Sequence, residues 1–379
     1  MENVFKRSVL GVAVAAAAMA SMSANAYEIG QNNDFSVEVY GVAAISIVNY
    51  DITKNGEDTA TGYDYENESR IGFRAGKEMF DNVEVFMQVE SGYVGEDGTG
   101  GTLGNRDTFL GLKGDWGKVR FGRMLTPMYE VIDWPYANPG LGASWDWGGD
   151  VKYNRDRHGD MARYDSPSFG GFNFNLATGR GDKAVEGNNW FGGAAHYSFA
   201  EMITLHAAFE TESDRQLEEA KAATDGSWSY TDPTDSTKGV WTPGTAAKDA
   251  VMADTFGYLV GFEASLPAGF GLSGAYKAGE SKVQNGDKSE QASYAVIGQY
   301  WNGPWGFKLG YTANLESETA GVKQNDEDSI ISGQLMYVKN GFVPYVRVAQ
   351  RDLKAANDKT GKIDETDIFV VRVGLEYGF

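Results

Sequence analysis

The sequence predicts an all-β chain: a 16-stranded antiparallel barrel crossing a membrane, with one long loop folded into its lumen. Three observations predict it. Period-two hydrophobic stretches recur along the 379 residues, short turns alternate with long polar loops, and the chain ends on a strongly alternating strand whose last residue is Phe379. No apolar window of about 18 residues follows the first segment, so membrane-crossing helices are not expected. A soluble sandwich would turn its apolar faces into a core. A membrane barrel turns them to lipid and lines water with the polar faces. Strands of about 9 to 11 residues, long enough for a tilted bilayer crossing, favour the barrel.

Residues 1–26 read as an export signal. Lys6 and Arg7 form the basic region, Val9 to Ala20 the apolar core, and Ala24-Asn25-Ala26 a small-x-small cleavage site. Residues 27–379 then make one barrel domain. Removing Lys6, Arg7 and Glu2 takes the formal charge from −20 to −21. So acidic a chain argues against a nucleic-acid partner, which would need clustered Lys and Arg. The acidity suits solvated outer loops, or loops bridged by divalent cations to lipopolysaccharide. With no Cys, neither a disulfide nor a thiolate metal site is expected.

The first strand sets Phe35, Val37, Val39, Ala43, Ile45 and Ile47 against Ser36, Glu38, Tyr40, Ser46 and Tyr50. The second alternates Ile71, Phe73 and Ala75 with Arg70, Gly72 and Arg74; the third alternates Val83, Val85, Met87 and Val89 with Glu84, Gln88 and Glu90. Short turns are expected at residues 80–82, 114–117, 170–171, 200–201, 267–269, 302–305 and 339–341, rich in the Gly, Asn, Asp and Pro that tight turns use. Polar loops are expected near 51–66, 96–104, 125–160, 181–189, 213–254, 282–290, 317–328 and 354–366. Seven short turns and eight long loops join sixteen strands, an even count that leaves both termini on the short-turn side. Phe80, Trp116, Phe169, Phe172, Phe199, Phe270, Trp301 and Trp305 stand at strand ends, as a girdle at the lipid interface would.

The loop at about 125–160 is the exceptional one. Connections beyond about 12–15 residues are usually functional or disordered, and its Trp, Tyr and Pro content argues for order. Its carboxylates Glu130, Asp133, Asp146 and Asp150 would face Arg70, Arg74, Arg106 and Arg120, which alternation puts on the lumen side of strands two, four and five. Fixed charges of opposite sign across a narrow aqueous passage make a transverse field that orders water and penalises apolar solutes. The three histidines include His196 and His206 on the lumen face, read as polar wall residues without a metal set. No Gly-x-Ser-x-Gly elbow or phosphate-binding loop occurs, so neither an enzyme nor a cofactor is expected.

Ser69 to Gly76 (SRIGFRAG), Arg163 to Phe172 (RYDSPSFGGF) and Val371 to Phe379 resemble the second strand, the segment after the inward loop, and the closing strand of Gram-negative trimeric porins. The resemblance covers most of residues 27–379 and implies a homotrimer in the outer membrane. It also implies one passive pore per subunit and delivery to the barrel-assembly machinery through the terminal Phe379. Within that family the paired Asp133-Trp134 and Asp146-Trp147 steps are similar to those of the chito-oligosaccharide porins of marine vibrios. That likeness implies sugar stacking on Trp134, Tyr136, Trp145 and Trp147, with Asp156 and Arg157 as further polar contacts. An indole face covers the C–H face of a pyranose while carboxylates accept from its hydroxyls. The alternatives are that the tryptophans pin the loop to the wall and that Arg155-Asp156-Arg157 is a solvated charge cluster. A general diffusion pore for small hydrophilic solutes, leaning to cations, is the second functional expectation, and a surface adhesin on a barrel platform the third.

Overall fold

The computed structural model describes residues 27–28, 36–59, 62–92, 102–146, 151–181, 185–200, 202–230, 239–357 and 362–379. The expected signal at 1–26, Trp147 and Asp150 lie outside the described residues. Sixteen long strands run in chain order: β1 Ser36–Lys54, β2 Arg70–Phe80, β3 Val83–Gly92, β4 Thr108–Gly114, β5 Gly117–Leu125, β6 Arg157–Asp165, β7 Phe172–Arg180, β8 Asn189–Phe199, β9 Ile203–Glu218, β10 Val251–Ser265, β11 Phe270–Val283, β12 Lys288–Asn302, β13 Trp305–Asn314, β14 Asp328–Tyr337, β15 Phe342–Asn357 and β16 Lys362–Gly378.

Each strand pairs antiparallel with the next, and β1 pairs with β16 from Val42↔Gly378 to Lys54↔Thr366. That seam closes the sheet, leaving no edge in lipid with unpaired backbone groups. Ser69 bridges a gap in the pairing near the start of β2, where its hydroxyl accepts from the Ala44 amide at 3.0 Å.

The two faces separate as period two requires. On β1, Ile45 and Ile47 point outward, 52 % and 45 % exposed, while Val42, Ala44 and Val48 are buried inward. Phe80, Trp116, Phe169, Phe172, Phe199, Phe270 and Trp305 are exposed near the turns, as the girdle requires. Trp301 is an exception: it is buried with Met336 and Tyr345. Its β12 neighbour Tyr300 takes the outward position, and one residue of parity reverses the face.

The largest apolar cluster lies inside the barrel. Met128, Ile132, Tyr136, Leu141, Trp145 and Tyr153 of the long loop meet small or branched wall residues such as Ala208, Ala275, Ala295 and Ile330. Burying one such large side chain contributes about 1.5–3 kcal/mol, against about 1–2 kcal/mol to order each backbone unit. The cluster therefore holds the loop against the wall.

Three stretches expected as loops, near 51–66, 282–290 and 354–366, are largely strand, since β1 runs to Lys54 and is followed by the strand segments Glu57–Thr59 and Tyr63–Asn67, β11 and β12 meet at residues 284–287, and β15 runs to Asn357. Beyond the bilayer both sheet faces meet water, so strands continue there without apolar alternation. The expected loop at 213–254 likewise carries a hairpin of Ser227–Tyr230 and Gly239–Thr242, with Trp228 opposite Trp241.

Candidate functional site

The long loop turns inward as soon as β5 ends. Thr126 caps helix α1, Pro127–Asp133: its hydroxyl accepts from the Tyr129 amide at 3.1 Å, and Pro127 fills the first turn, where no amide donor is needed. The Thr-Pro step is a helix start signal that the reading by length and composition passed over. α1 lies along β7–β9, and the second short helix, α2 Gly142–Trp145, lies against β12–β14.

Point contacts fix the loop between the two helices. Lys308 donates to Asn138 Oδ1 at 2.7 Å, the Ser332 hydroxyl donates to the Pro139 carbonyl, and Asn314 donates to the Ser144 carbonyl at 2.8 Å. Wall glycines leave room for the loop's rings. A Cβ on Gly279 would lie 2.2 Å from Tyr153 Cγ, and one on Gly261 would lie 2.3 Å from the Tyr136 hydroxyl. The loop thus packs mainly against the β7–β14 wall of the bore.

Three of the expected cationic residues, Arg74, Arg106 and Arg120, have carboxylate partners that sequence alone did not indicate. Arg74 lies 3.8 Å over the Tyr40 ring, donates to Gln88 at 3.0 Å and stands 3.9 Å from Glu38. Arg106 precedes β4 instead of lying on it, and bonds Glu90 at 2.5 Å; the Tyr40 hydroxyl also donates to Glu90, at 2.8 Å. Arg120 pairs with Asp165 at 2.8 Å. Glu130 is bonded to Arg163, which also contacts Asp165 at 2.7 Å. Arg74, Arg106 and Arg120 thus pair with wall carboxylates, because residues on adjacent strands lie closer than groups across the bore.

Besides Glu130, the loop carboxylate Asp133 also senses arginines of the wall. Burial pushes its carboxyl above the usual range, against the opposing positive charges of Arg157, Arg106 and Arg70. Arg157 is bonded to Asp107 at 2.7 Å and stands 3.8 Å from Asp156. Asp146 lies deeper, accepting from the Tyr129 hydroxyl at 3.1 Å.

The aromatic residues divide in two. Tyr136 and Trp145 are 0 % exposed, in edge contact at a ring separation of 6.3 Å, and the Trp145 indole donates to the Ile132 carbonyl at 3.1 Å. This corrects the expectation of stacking for these two, since a ring covered by protein on every side offers no face to a sugar. They pin the loop. Trp134 is half-buried, with Lys308 Nζ 4.7 Å from its ring centre.

The model of the Gram-negative porin family matches residues 12–304. The chain belongs to the Gram-negative porins. It is 53 % identical to a chitoporin of Vibrio furnissii over 100 % of both chains, and 25 % identical to the major outer membrane protein P.IB of Neisseria sicca over 85 % of this chain and 86 % of that one. Among solved structures, the anion-selective porin of Comamonas acidovorans superposes with a TM-score of 0.65 at 17 % identity, covering 91 % of this chain and all of that one. The trimer form of OmpT of Vibrio cholerae superposes at 0.63 and 15 % identity, covering 92 % of this chain and all of that one. The porin is an outer-membrane channel closed by 16 strands.

Two charged groups of the porin's lumen escaped the sequence reading although alternation places them there. Arg163 is 3 % exposed and Lys277 1 %. Lys277 Nζ stands 5.1 Å from the Trp145 ring centre and 5.6 Å from that of Tyr153, anchoring the loop on its inner side. Arg155 grips Glu212 with two bonds of 2.7 Å where the loop leaves the lumen, so this member of the Arg155-Asp156-Arg157 run is a structural tether. Burial and the neighbouring Asp133 carboxylate push Asp146 up to about 7, against the pull of Lys277 and the Tyr129 hydrogen bond.

Proposed function

We propose that this porin is a passive uptake channel for chitooligosaccharides. The observation that carries the reading is the 53 % identity, over the full length of both chains, to a protein named chitoporin. The site supplies compatible chemistry. Trp134 keeps part of its indole accessible beside Asp133, and Arg70, Arg106 and Arg157 face that carboxylate. Stacking on the indole and charged hydrogen bonds to hydroxyl and amide groups would hold each ring in turn as the chain slides through. Trp147, adjacent to Asp146, belongs to the same proposal. We further propose that the working unit is a homotrimer, with lipopolysaccharide at the acidic outer loops and assembly through Phe379; the trimeric OmpT fold is compatible with it.

Planar-bilayer recording tests the function. Chitohexaose at micromolar concentrations should interrupt the current of single channels, and Trp147→Ala should shorten each interruption. If the current is not interrupted by any chitooligosaccharide, the saccharide assignment falls and the channel remains. The second reading, a general diffusion pore, draws support from the burial of Tyr136 and Trp145, which removes two of the expected stacking faces. Liposome swelling rates that follow solute mass alone would select it.

A further inference from the structure

We propose that His196 and His206 form a binding site for a divalent copper or nickel ion on the lumen wall of the porin. The two residues are register partners on β8 and β9, directly opposite each other, and both side chains point inward. Their Nδ1 atoms stand 2.8 Å apart. At that separation one nitrogen donates and the other offers its lone pair.

Glu263 on β10 decides which is which. Its Oε1 lies 3.1 Å from His206 Nε2 and accepts from it, so His206 carries its proton on Nε2 and presents a bare Nδ1 to His196. Such a carboxylate behind an imidazole is the usual support of a metal-bound histidine, fixing both tautomer and ring orientation. His196 has no such constraint. Moving its single proton to Nε2 frees a second Nδ1 lone pair, and a cation to one side of the line between the two nitrogens then takes both lone pairs once the rings turn toward it.

With metal–nitrogen bonds of about 2.0–2.1 Å, two ligands at a right angle stand about 2.9 Å apart, whereas tetrahedral ligands stand about 3.3–3.4 Å apart. The two nitrogens start 2.8 Å apart, so the right-angled tetragonal coordination of Cu(II) or Ni(II) asks for the smallest change in their separation.

The Tyr136 ring meets the His206 ring edge-on at 6.1 Å, with its hydroxyl against Gly261, the β10 residue opposite His206, so it lies on the side of His206 away from His196. The approach is open, because His196 lines a cavity with Asn173, Asn175, Glu130 and Asp165 that reaches the short turns at Gly114 and Pro167. Among the described residues no three His, Asp or Glu side chains converge on one point. The site therefore has two protein nitrogens, and water fills the remaining positions.

The test uses untagged full-length protein in detergent, so that the sequence's three histidines are the only imidazoles present. Titration with Cu(II) should give one saturable ion per chain, and its electron paramagnetic resonance spectrum should show splitting from two nitrogens. His196→Asn or His206→Asn should each weaken binding at least tenfold, and His158→Asn should leave it unchanged. Glu263→Gln, which keeps both ligands but loosens the tautomer, should weaken it by about 10- to 100-fold. Single-channel conductance without metal verifies that each variant is folded. Absence of saturable binding, or affinity that survives both His196→Asn and His206→Asn, overturns the proposal. If the variants do not fold, the wild-type spectrum decides, and splitting from fewer than two nitrogens overturns it.

Discussion

The ammonium of Lys308 lies 4.7 Å from the centre of the Trp134 ring, so one face of this indole is already occupied by a cation. The same ammonium is held by Asn138, which fixes the ring relative to the loop. A pyranose can therefore use only the opposite face. Trp134→Ala should shorten chitohexaose residence about tenfold, the loss of roughly 1.4 kcal/mol of stacking. Lys308→Met, which leaves the ring but releases it, should shorten residence less. Equal dwell times in Trp134→Ala and wild type would remove Trp134 from the sugar path.

Arg120 and Arg163 face each other in register on β5 and β6, with Asp165 bonded to both. Like charges directly opposite are destabilising, and the carboxylate between them offsets the repulsion. Asp165→Asn should leave two nearly buried guanidinium groups with Glu130 as their remaining carboxylate partner in this cluster. A cost of roughly 3–5 kcal/mol is expected for breaking such a buried pair, visible as a lower urea midpoint of the folded barrel. An unchanged midpoint would mean that the cluster is compensated elsewhere.

Asp146 should give the channel a pH response near neutrality. Burial raises its carboxyl to about 7, so it is largely charged at pH 8 and largely neutral at pH 6. Cation preference, read from the reversal potential in a salt gradient, should fall as the pH drops through this range, and Asp146→Asn should abolish that step. The stability effect has the same origin. A group whose folded pKa exceeds its unfolded one binds protons more tightly when folded, so the loop should be held more firmly at pH 6 than at pH 8.

Tyr153 rests on Gly257 and Gly279, where added carbons would sit 2.5 Å and 2.2 Å from ring atoms. Gly279→Val should push the returning arm of the loop away from the wall and into the passage. Single-channel conductance should fall, and overpacking should cost about 1–3 kcal/mol of stability. Conductance at the wild-type level would show that the arm relaxes outward instead.

The barrel was legible because its evidence is local and repeated: each strand announces its faces within ten or so residues, and the turns punctuate them. The inward loop was legible from length and aromatic content. What holds it was not, because Lys308, Ser332, Asn314 and the wall glycines come from strands far away in sequence. Ion-pair partners depend on register as well as on face. Alternation could place Arg120 on the lumen side, but only the β5–β6 register brings Arg163 beside it and Asp165 within reach. The buried Tyr136 and Trp145 show the same limit, since an aromatic on a loop reads alike whether it meets solute or wall.

The seam between β1 and β16 joins the beginning of the described barrel to the last residue of the chain. The Gly41 amide donates to Phe379 at 3.0 Å, and the Phe379 amide donates back at 3.1 Å. Among the described residues no other strand pairing spans so much of the polypeptide, and until it forms, two full edges carry unpaired amides and carbonyls that lipid cannot solvate, at several kcal/mol for each group. Insertion and closure are therefore bound into one event. A chain shortened by its final strand would be left as an open ribbon that the bilayer rejects, not as a slightly smaller pore.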